Sequence, residues 1–142
     1  MLPRVVRFDL LFVRTDYSND EAWRNALAAA TAVHPSNDFE RCGAALQPVE
    51  SPELSGLTSA QLVGLPREDY LAELAVADAQ TMRDQTVLFV DLNELNKQVG
   101  RTFRAIPSQV EPIVANFSIA NMDFHEFADN ADPDGVFRGF AR

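Results

Sequence analysis

Two strongly apolar runs dominate the pattern of hydrophobic and polar positions along the chain. Residues 5–15 and 86–92 are rich in Val, Leu and Phe, and polar residues follow each run. Runs of this length are too short for a bilayer and are typical of strands buried on both faces of a sheet. We therefore predict two central strands and expect them to lie side by side.

Helix starts are marked by capping boxes, in which Ser or Thr is followed three residues later by Glu or Gln. The three boxes are Ser18 with Glu21, Thr58 with Gln61, and Ser108 with Glu111. The first predicts a helix over residues 20–33 that is stopped by Pro35. The second predicts a short helix that ends at Gly64, and the third a helix through Phe117 with Pro112 in its first turn.

Weaker patterns supply further elements. Residues 44–49 and 101–106 are predicted to be short strands, and Pro48 favours a sheet edge for the first of them. Residues 70–77 fit both a strand and a helix, and we choose a strand. Asp78 is a candidate N-cap for a short helix that follows.

The last predicted helix carries Phe124 and Phe127 on its inward side and has Asn121 as its N-cap. Strands and helices alternate along most of the chain, without an internal repeat or a linker. The sequence thus predicts an α/β (α+β) fold in which residues 1–142 form one domain. Its core is a single mixed sheet of four or five strands with helices packed on it.

Charge and cysteine content narrow the class of protein. The formal net charge is −9 at pH 7 and the 12 basic residues are scattered, whereas nucleic-acid binding needs clustered Lys and Arg. Cys42 is the only cysteine, which excludes an intramolecular disulfide and favours a reducing compartment. Arg4, Arg7 and Asp9 interrupt the apolar N-terminal segment, which matches neither a signal peptide nor a membrane span. We expect a cytoplasmic protein that binds neither nucleic acid nor membrane.

Three stretches of the sequence carry a resemblance to a known family. They are LLFVRTDYSNDEAW at residues 10–23, TVLFVDL and RTFRAIP within residues 86–107, and NFSIANMDFHEFADNADPDGVFRGF at residues 116–140. Together they resemble a family of small standalone actinobacterial and fungal proteins that carries only a domain-of-unknown-function label. The family has no assigned chemistry, so the resemblance implies neither an activity nor catalytic residues.

The ends of the two apolar runs carry the first candidate site residues. Arg14, Thr15 and Asp16 end and follow the first run, and Asp91 lies near the end of the second. In open α/β sheets ligands bind beyond the carboxyl ends of parallel strands. If the two strands are parallel neighbours, these four residues line one crevice. The alternative is ordinary turn chemistry, in which Asp16 and Asp91 accept hydrogen bonds from local backbone.

The final predicted helix carries the second group of candidates. His125 and Glu126 are adjacent on the side away from the apolar residues, so they form a candidate acid and base pair. The alternative is a solvated helix face. Asn121 is a further candidate ligand-binding residue, and His34 is expected to complement a helix C-terminus.

Neither a metal nor a cofactor is expected. The two histidines and Cys42 lie far apart and show no zinc-site spacing, and Cys42 is interpreted as an idle thiol. Residues 130–135 imitate the start of an EF-hand loop, but its twelfth position would be Ala141 where calcium binding needs Glu, which favours a plain turn. The chain also lacks a glycine-rich phosphate loop, a nucleophile elbow and a dinucleotide fingerprint.

Two functional hypotheses remain open. In the first, the chain is a non-catalytic binding protein of inhibitory or immunity-like type, whose acidic region at residues 111–134 docks on a basic protein. In the second, it is a cofactor-free isomerase, cyclase or hydrolase acting on a small molecule. His125 or Asp16 would then be the general base, and Arg14 or Arg104 would hold an anionic group. Convergence of these side chains on one concave cavity would favour a small-molecule site over a docking surface.

Overall fold

A mixed sheet runs through the chain in a computed structural model that describes residues 1–4, 9–33 and 43–140. Within these residues the strands are β1 (Leu10–Arg14), β2 (Leu46–Val49), β3 (Glu73–Ala77), β4 (Val87–Asp91), β5 (Thr102–Ala105) and β6 (Val136–Phe137). The helices are α1 (Asp20–Thr31), α2 (Ser59–Val63), α3 (Ala79–Asp84), α4 (Pro107–Ser118) and α5 (Phe124–Ala128). Short 3-10 turns cover Pro52–Leu54 and Glu94–Asn96. The α/β class and the single mixed sheet are thereby confirmed.

The sheet has six strands in the described residues, in the order β2-β1-β3-β4-β5-β6, where the sequence predicts four or five. The additional strand, β6, has two residues and therefore no alternation that could reveal it. The predicted edge position of β2 with its Pro48 is confirmed, and so is the choice of a strand for β3. The part of the first apolar run at residues 5–8, the predicted loop at 35–41, His34 and Cys42 lie outside the described residues.

The expectation that the two apolar runs lie side by side is wrong. β3 lies between β1 and β4, parallel to β1 and antiparallel to β4. Four of its five residues, from Leu74 to Ala77, are buried, because strands cover its edges on both sides and side chains pack on both faces. Apolarity indicated burial of β1 and β4 correctly, but it carries no information on which strand becomes the neighbour.

Helix α1 begins at Asp20 as predicted, but its N-cap lies one residue later than the sequence predicts. Asn19 is the N-cap, and its side chain accepts a hydrogen bond from the N–H of Ala22. Ser18 does not cap the helix, because its N–H and its hydroxyl both donate hydrogen bonds to Oδ1 of Asp16. The boxes that open α2 and α3 are formed by Thr58 and Asp78, as the sequence predicts for both caps.

The starts of α4 and α5 also differ from the predictions. Helix α4 begins at Pro107, after Ile106, so the predicted box of Ser108 with Glu111 does not open it. Proline fits the first helical position because its missing N–H has no partner there. Pro112 consequently falls inside α4 and beyond its first turn. The N-cap of α5 is Asp123 in place of Asn121, and its backbone N–H donates to the side chain of Glu126.

The two faces of the sheet are covered to different extents. Helices α1, α3, α4 and α5 cover one face, where Phe12, Phe89 and Phe103 are buried. On the other face Val13, Val76 and Val90 pack with residues from the N-terminus, the first 3-10 turn and α2. This second layer covers β1, β3 and β4 and thins out over β5. A cavity lies over β5 on this face.

No helix in the described part of the chain is both long enough and apolar enough to cross a membrane.

Phe103 is expected to be a large contributor to stability because it connects four aromatic rings. Its ring centroid lies 5.2 Å from that of Phe89, 4.9 Å from Phe124, 6.2 Å from Phe127 and 6.4 Å from Phe137. Phe103→Ala should lower the free energy of unfolding by about 3–5 kcal/mol, measured by urea denaturation. Leu95→Ala is the control, since Leu95 is 90% exposed and should change the value by less than about 0.5 kcal/mol. Equal, small effects of both substitutions would contradict the packing described.

Candidate functional site

A cavity of about 610 Å³ opens where β1 and β3 end. These two strands are parallel, so the residues that follow them arrive at the same edge of the sheet. Asp16 follows β1 and Asp78 follows β3, and both line the cavity. Arg104 of β5 and Asp134, which precedes β6 and is bonded to Arg138, complete the charged part of the wall. The geometry thus brings three carboxylates and one guanidinium group around one concave space.

The floor and the remaining wall of this cavity are apolar or uncharged. Leu88 of β4 and Leu57 from the loop before α2 provide apolar surface, and the exposed Thr102 stands beside them on β5. The loop is held in place by Gly56, whose N–H donates to the carbonyl oxygen of Thr15 at 2.8 Å. Gly56 has a φ of +77°, a left-handed conformation that favours glycine.

Asp16 is an ionised hydrogen-bond acceptor at the cavity wall. Oδ1 accepts the N–H of Ser18 at 2.8 Å and its hydroxyl at 2.5 Å. These bonds from the hydroxyl and the backbone, aided by the positive charge of Arg14, lower the pKa of Asp16, although partial burial and the charge of Asp78 oppose the shift. Among the described residues none donates a hydrogen bond to Oδ2. Asp16 therefore keeps one carboxylate oxygen for an outside donor.

Asp78 is held by its neighbours in the fold. Nη1 of Arg104 donates to Oδ1 at 3.0 Å, and Nη2 donates to Oδ2. The N–H and the hydroxyl of Thr81 also donate to Oδ1, each at 3.1 Å. Burial alone would raise the pKa of Asp78, but the bonds from Arg104 and Thr81 outweigh it and the pKa lies below its ordinary value. Both members of this bidentate pair are therefore charged at neutral pH.

Arg14 lies behind the cavity and is only 3% exposed. Its Nε donates to the carbonyl oxygen of Asp16 at 2.8 Å, and its two terminal nitrogens donate to Glu50 at 3.0 Å and Asp20 at 2.8 Å. The guanidinium group also lies 4.4 Å from the ring centroid of Tyr17. With these contacts Arg14 fixes the turn after β1, and the structure offers no surface on which it could hold an anionic ligand.

The predicted crevice that joins Asp91 to Arg14, Thr15 and Asp16 is wrong. β4 runs antiparallel to β3, so its carboxyl end lies at the opposite edge of the sheet. Asp91 is buried there, in register with Glu73 of β3. Thr15 and Asp16 of this predicted crevice do line the cavity, and so does Arg104, which was predicted separately as a residue that holds an anionic group.

His125 and Asn121 lie away from this cavity. His125 is half-exposed on α5, with its ring nitrogens 3.8 Å from Oδ2 of Asp123 and 3.6 Å from Oδ2 of Asp129. Asn121 is exposed, and its side-chain amide donates to Oδ1 of Asn116 at 2.8 Å. Neither residue is among those that line the cavity of Asp16. The predicted alternatives of His125 and Asp16 as bases thus belong to two separate places.

Asp78 is the cavity residue that the sequence arguments missed as a site residue. The sequence predicts Asp78 as the N-cap of α3, which it is, and the same side chain also lines the cavity. The rule that singled out Asp16, a polar residue directly after a buried strand, would have found Asp78 after β3 as well. Leu57, Leu88 and Thr102 gave no signal, because their neighbourhood depends on contacts distant in sequence.

The described residues contain no group of three or more His, Cys, Asp or Glu side chains arranged to hold a metal ion. The segment that imitates an EF-hand forms a turn in which the N–H of Gly135 donates to the carbonyl oxygen of Asp132. The side chains of Asp132 and Asp134 are both bonded to Arg138. Carboxylates engaged in this way stabilise the turn that leads into β6.

A second group of acids lies at the opposite edge of the sheet, near a smaller cavity of about 140 Å³. Glu73 and Asp123 line this cavity, and Asp91 faces Glu73 across the strand pair. Burial, followed by repulsion from Asp91 and Asp123, raises the pKa of Glu73 to about 7. The side chain of Glu73 therefore changes its charge near neutral pH.

Comparison with known proteins returned one family. The family described as a domain of unknown function (DUF6924) matches residues 9–140, nearly the whole chain. No curated protein matches the sequence significantly. The match confirms the resemblance to an uncharacterised family that the three sequence stretches carry.

The raised pKa of Glu73 makes the stability of the protein depend on pH. Between the ordinary value of 4.5 and about 7 the folded state keeps a proton that the unfolded state has lost, so the free energy of unfolding falls as pH rises through this window. Glu73→Gln removes the buried charge and should raise stability at pH 8 by on the order of 1 kcal/mol, with little effect at pH 4.5.

Thermal unfolding of both proteins at the two pH values tests this expectation. Glu53→Gln is the control, because Glu53 is exposed in the first 3-10 turn and should behave alike at both pH values. An effect of Glu73→Gln that is equal at pH 4.5 and pH 8 would contradict a titration of Glu73 in this range.

Proposed function

The chain belongs to the DUF6924 family of unknown function, and we propose that it is a non-catalytic binding protein whose ligand, a small molecule, occupies the cavity beside Asp16 and Asp78. The observation that carries the proposal is the convergence of charged and hydroxyl groups on a single concave space with an apolar floor. Ligand sites in proteins commonly have this composition and measure roughly 300–1,000 Å³. The volume of about 610 Å³ falls in that range.

Binding is better supported than catalysis at this cavity. A general base works best when its pKa lies near the working pH, but hydrogen bonds from Ser18 lower the pKa of Asp16. Arg104 is engaged by Asp78, and His125 lies elsewhere. The alternative of a cofactor-free isomerase, cyclase or hydrolase would rest on Asp16 alone as its base.

Docking of a basic protein on the acidic region 111–134 has less support than the cavity. Glu111 is buried, Asp129 is paired with Arg101, and Asp132 and Asp134 are paired with Arg138. Charges that are already neutralised within the chain attract a partner less strongly.

A location in the cytoplasm remains part of the proposal. Cys42 is the only cysteine, and disulfides are rare in the cytoplasm.

A substitution that fills the cavity tests the proposed function. Thr102 is exposed on β5 and lines the cavity, so Thr102→Trp should occupy the space while leaving the core unchanged. Titration with benzyl alcohol, benzylammonium and benzoate should shift the amide NMR signals of Thr15, Gly56 and Asp78 for at least one probe, and Thr102→Trp should abolish these shifts.

Leu95→Trp is the matched control, because it adds the same ring at an exposed position that does not line the cavity. It should leave the shifts intact. If no probe perturbs the cavity amides, or if both Trp variants respond like the unaltered protein, the proposed binding site is wrong.

A further inference from the structure

We propose that the ligand of this cavity is a cation with a small apolar body, of the class of primary alkyl- or arylammonium compounds, whose charge pairs with the carboxylate of Asp16. The inference rests on the proposed function and specifies its ligand class. Three observations carry it: the balance of charge around the cavity, the engagement of every nearby arginine, and the apolar floor.

Negative charge exceeds positive charge around the cavity. The carboxylates of its wall and of the ion pairs behind that wall are Asp16, Asp20, Glu50, Asp78, Asp132 and Asp134, and the guanidinium groups are Arg14, Arg104 and Arg138. Six acids thus meet three arginines in this part of the described chain. A concave surface lined by an excess of one sign concentrates counter-ions of the other sign. The formal charge of −9 on the whole chain acts in the same direction.

The arginines around the cavity are not available to an anionic ligand. Arg104 makes a bidentate pair with Asp78, Arg14 bonds both Asp20 and Glu50, and Arg138 bonds Asp132 and Asp134. An anion would have to displace one of these carboxylates and would leave it without its partner. This cost disfavours an acid as the ligand.

Asp16 is the group best placed to receive a cation. Its Oδ1 is satisfied by Ser18, while Oδ2 receives no hydrogen bond from any described residue. The carboxylate stays ionised at neutral pH, so a bond from an ammonium N–H would be charge-assisted. The side chain is half-buried, and this raises the strength of the pair above that of a fully solvated one.

The apolar floor specifies the rest of the ligand. Leu57 and Leu88 present hydrocarbon surface within the same cavity as Asp16. A bare metal ion or a polyhydroxylated cation would leave this surface exposed to water. An amine on a short aliphatic chain or an aromatic ring satisfies both parts of the wall, because its apolar body covers the leucines while its charge faces Asp16.

Three probes that share one ring separate the possible ligand classes. Benzylammonium, benzyl alcohol and benzoate are titrated into the protein at pH 7, and the amide NMR signals of Thr15, Asp16, Gly56 and Asp78 are followed. Benzylammonium should bind at least about tenfold more tightly than benzyl alcohol, as expected for one charge-assisted hydrogen bond. Benzoate should bind most weakly.

Asp16→Asn tests the role of the carboxylate itself. Asn keeps a side-chain oxygen that can accept the bonds from Ser18, so the turn is preserved, but it cannot pair with a cation. The substitution should weaken benzylammonium binding about tenfold and leave benzyl alcohol unchanged. Asp69→Asn removes the same charge from an exposed residue outside this cavity and should change neither.

Each outcome decides one of the two proposals. If benzyl alcohol or benzoate binds as tightly as benzylammonium, or if Asp16→Asn affects all probes equally, the ligand class is wrong while the binding site stands. If Asp16→Asn and Asp69→Asn weaken benzylammonium equally, only net charge is involved and the ligand class is again wrong. If none of the three probes shifts the cavity amides, the binding site is wrong as well.

Discussion

The position of β3, parallel to one neighbour and antiparallel to the other, is the constraint on which the rest of the structure depends. Because β1 and β3 run in the same direction, Asp16 and Asp78 leave the sheet at one edge and meet there. Because β4 turns back, Asp91 lies at the opposite edge and faces Glu73. This one reversal of strand direction places the open, charged cavity at one edge of the sheet and the pair formed by the half-buried Glu73 and the buried Asp91 at the other.

The parts of the fold that could be predicted from sequence are those decided by neighbours within a few residues. Pro48 lacks a ladder donor and lies in an edge strand, and Thr58 opens α2 through a box whose two members are three positions apart. Errors arose where two local solutions compete, as at α1, where Ser18 bonds Asp16 and leaves the cap to Asn19. Strand neighbours depend on the path of the whole chain, so the insertion of β3 could not be found from the apolar runs.

The candidate site was predicted in part for a related reason. Thr15 and Asp16 were identified from their position after a buried strand, and they line the cavity regardless of which strand lies beside β1. Asp91 satisfied the same rule but depended on an incorrect strand direction. Asp78 was not identified as a site residue because its role as a helix cap already explained an acid at that position. One carboxylate can, however, cap α3 and bind Arg104 at the same time.

The half-buried Glu73 of β3 also determines which ions the protein exchanges with its solvent when it folds. Near pH 6 the folded chain carries a proton on Glu73 that the unfolded chain does not, so each unfolding event releases part of a proton to the buffer. The heat of unfolding then includes the ionisation enthalpy of whichever buffer accepts it. Calorimetric enthalpies of this protein between pH 4.5 and 7 are therefore properties of the protein and its buffer together.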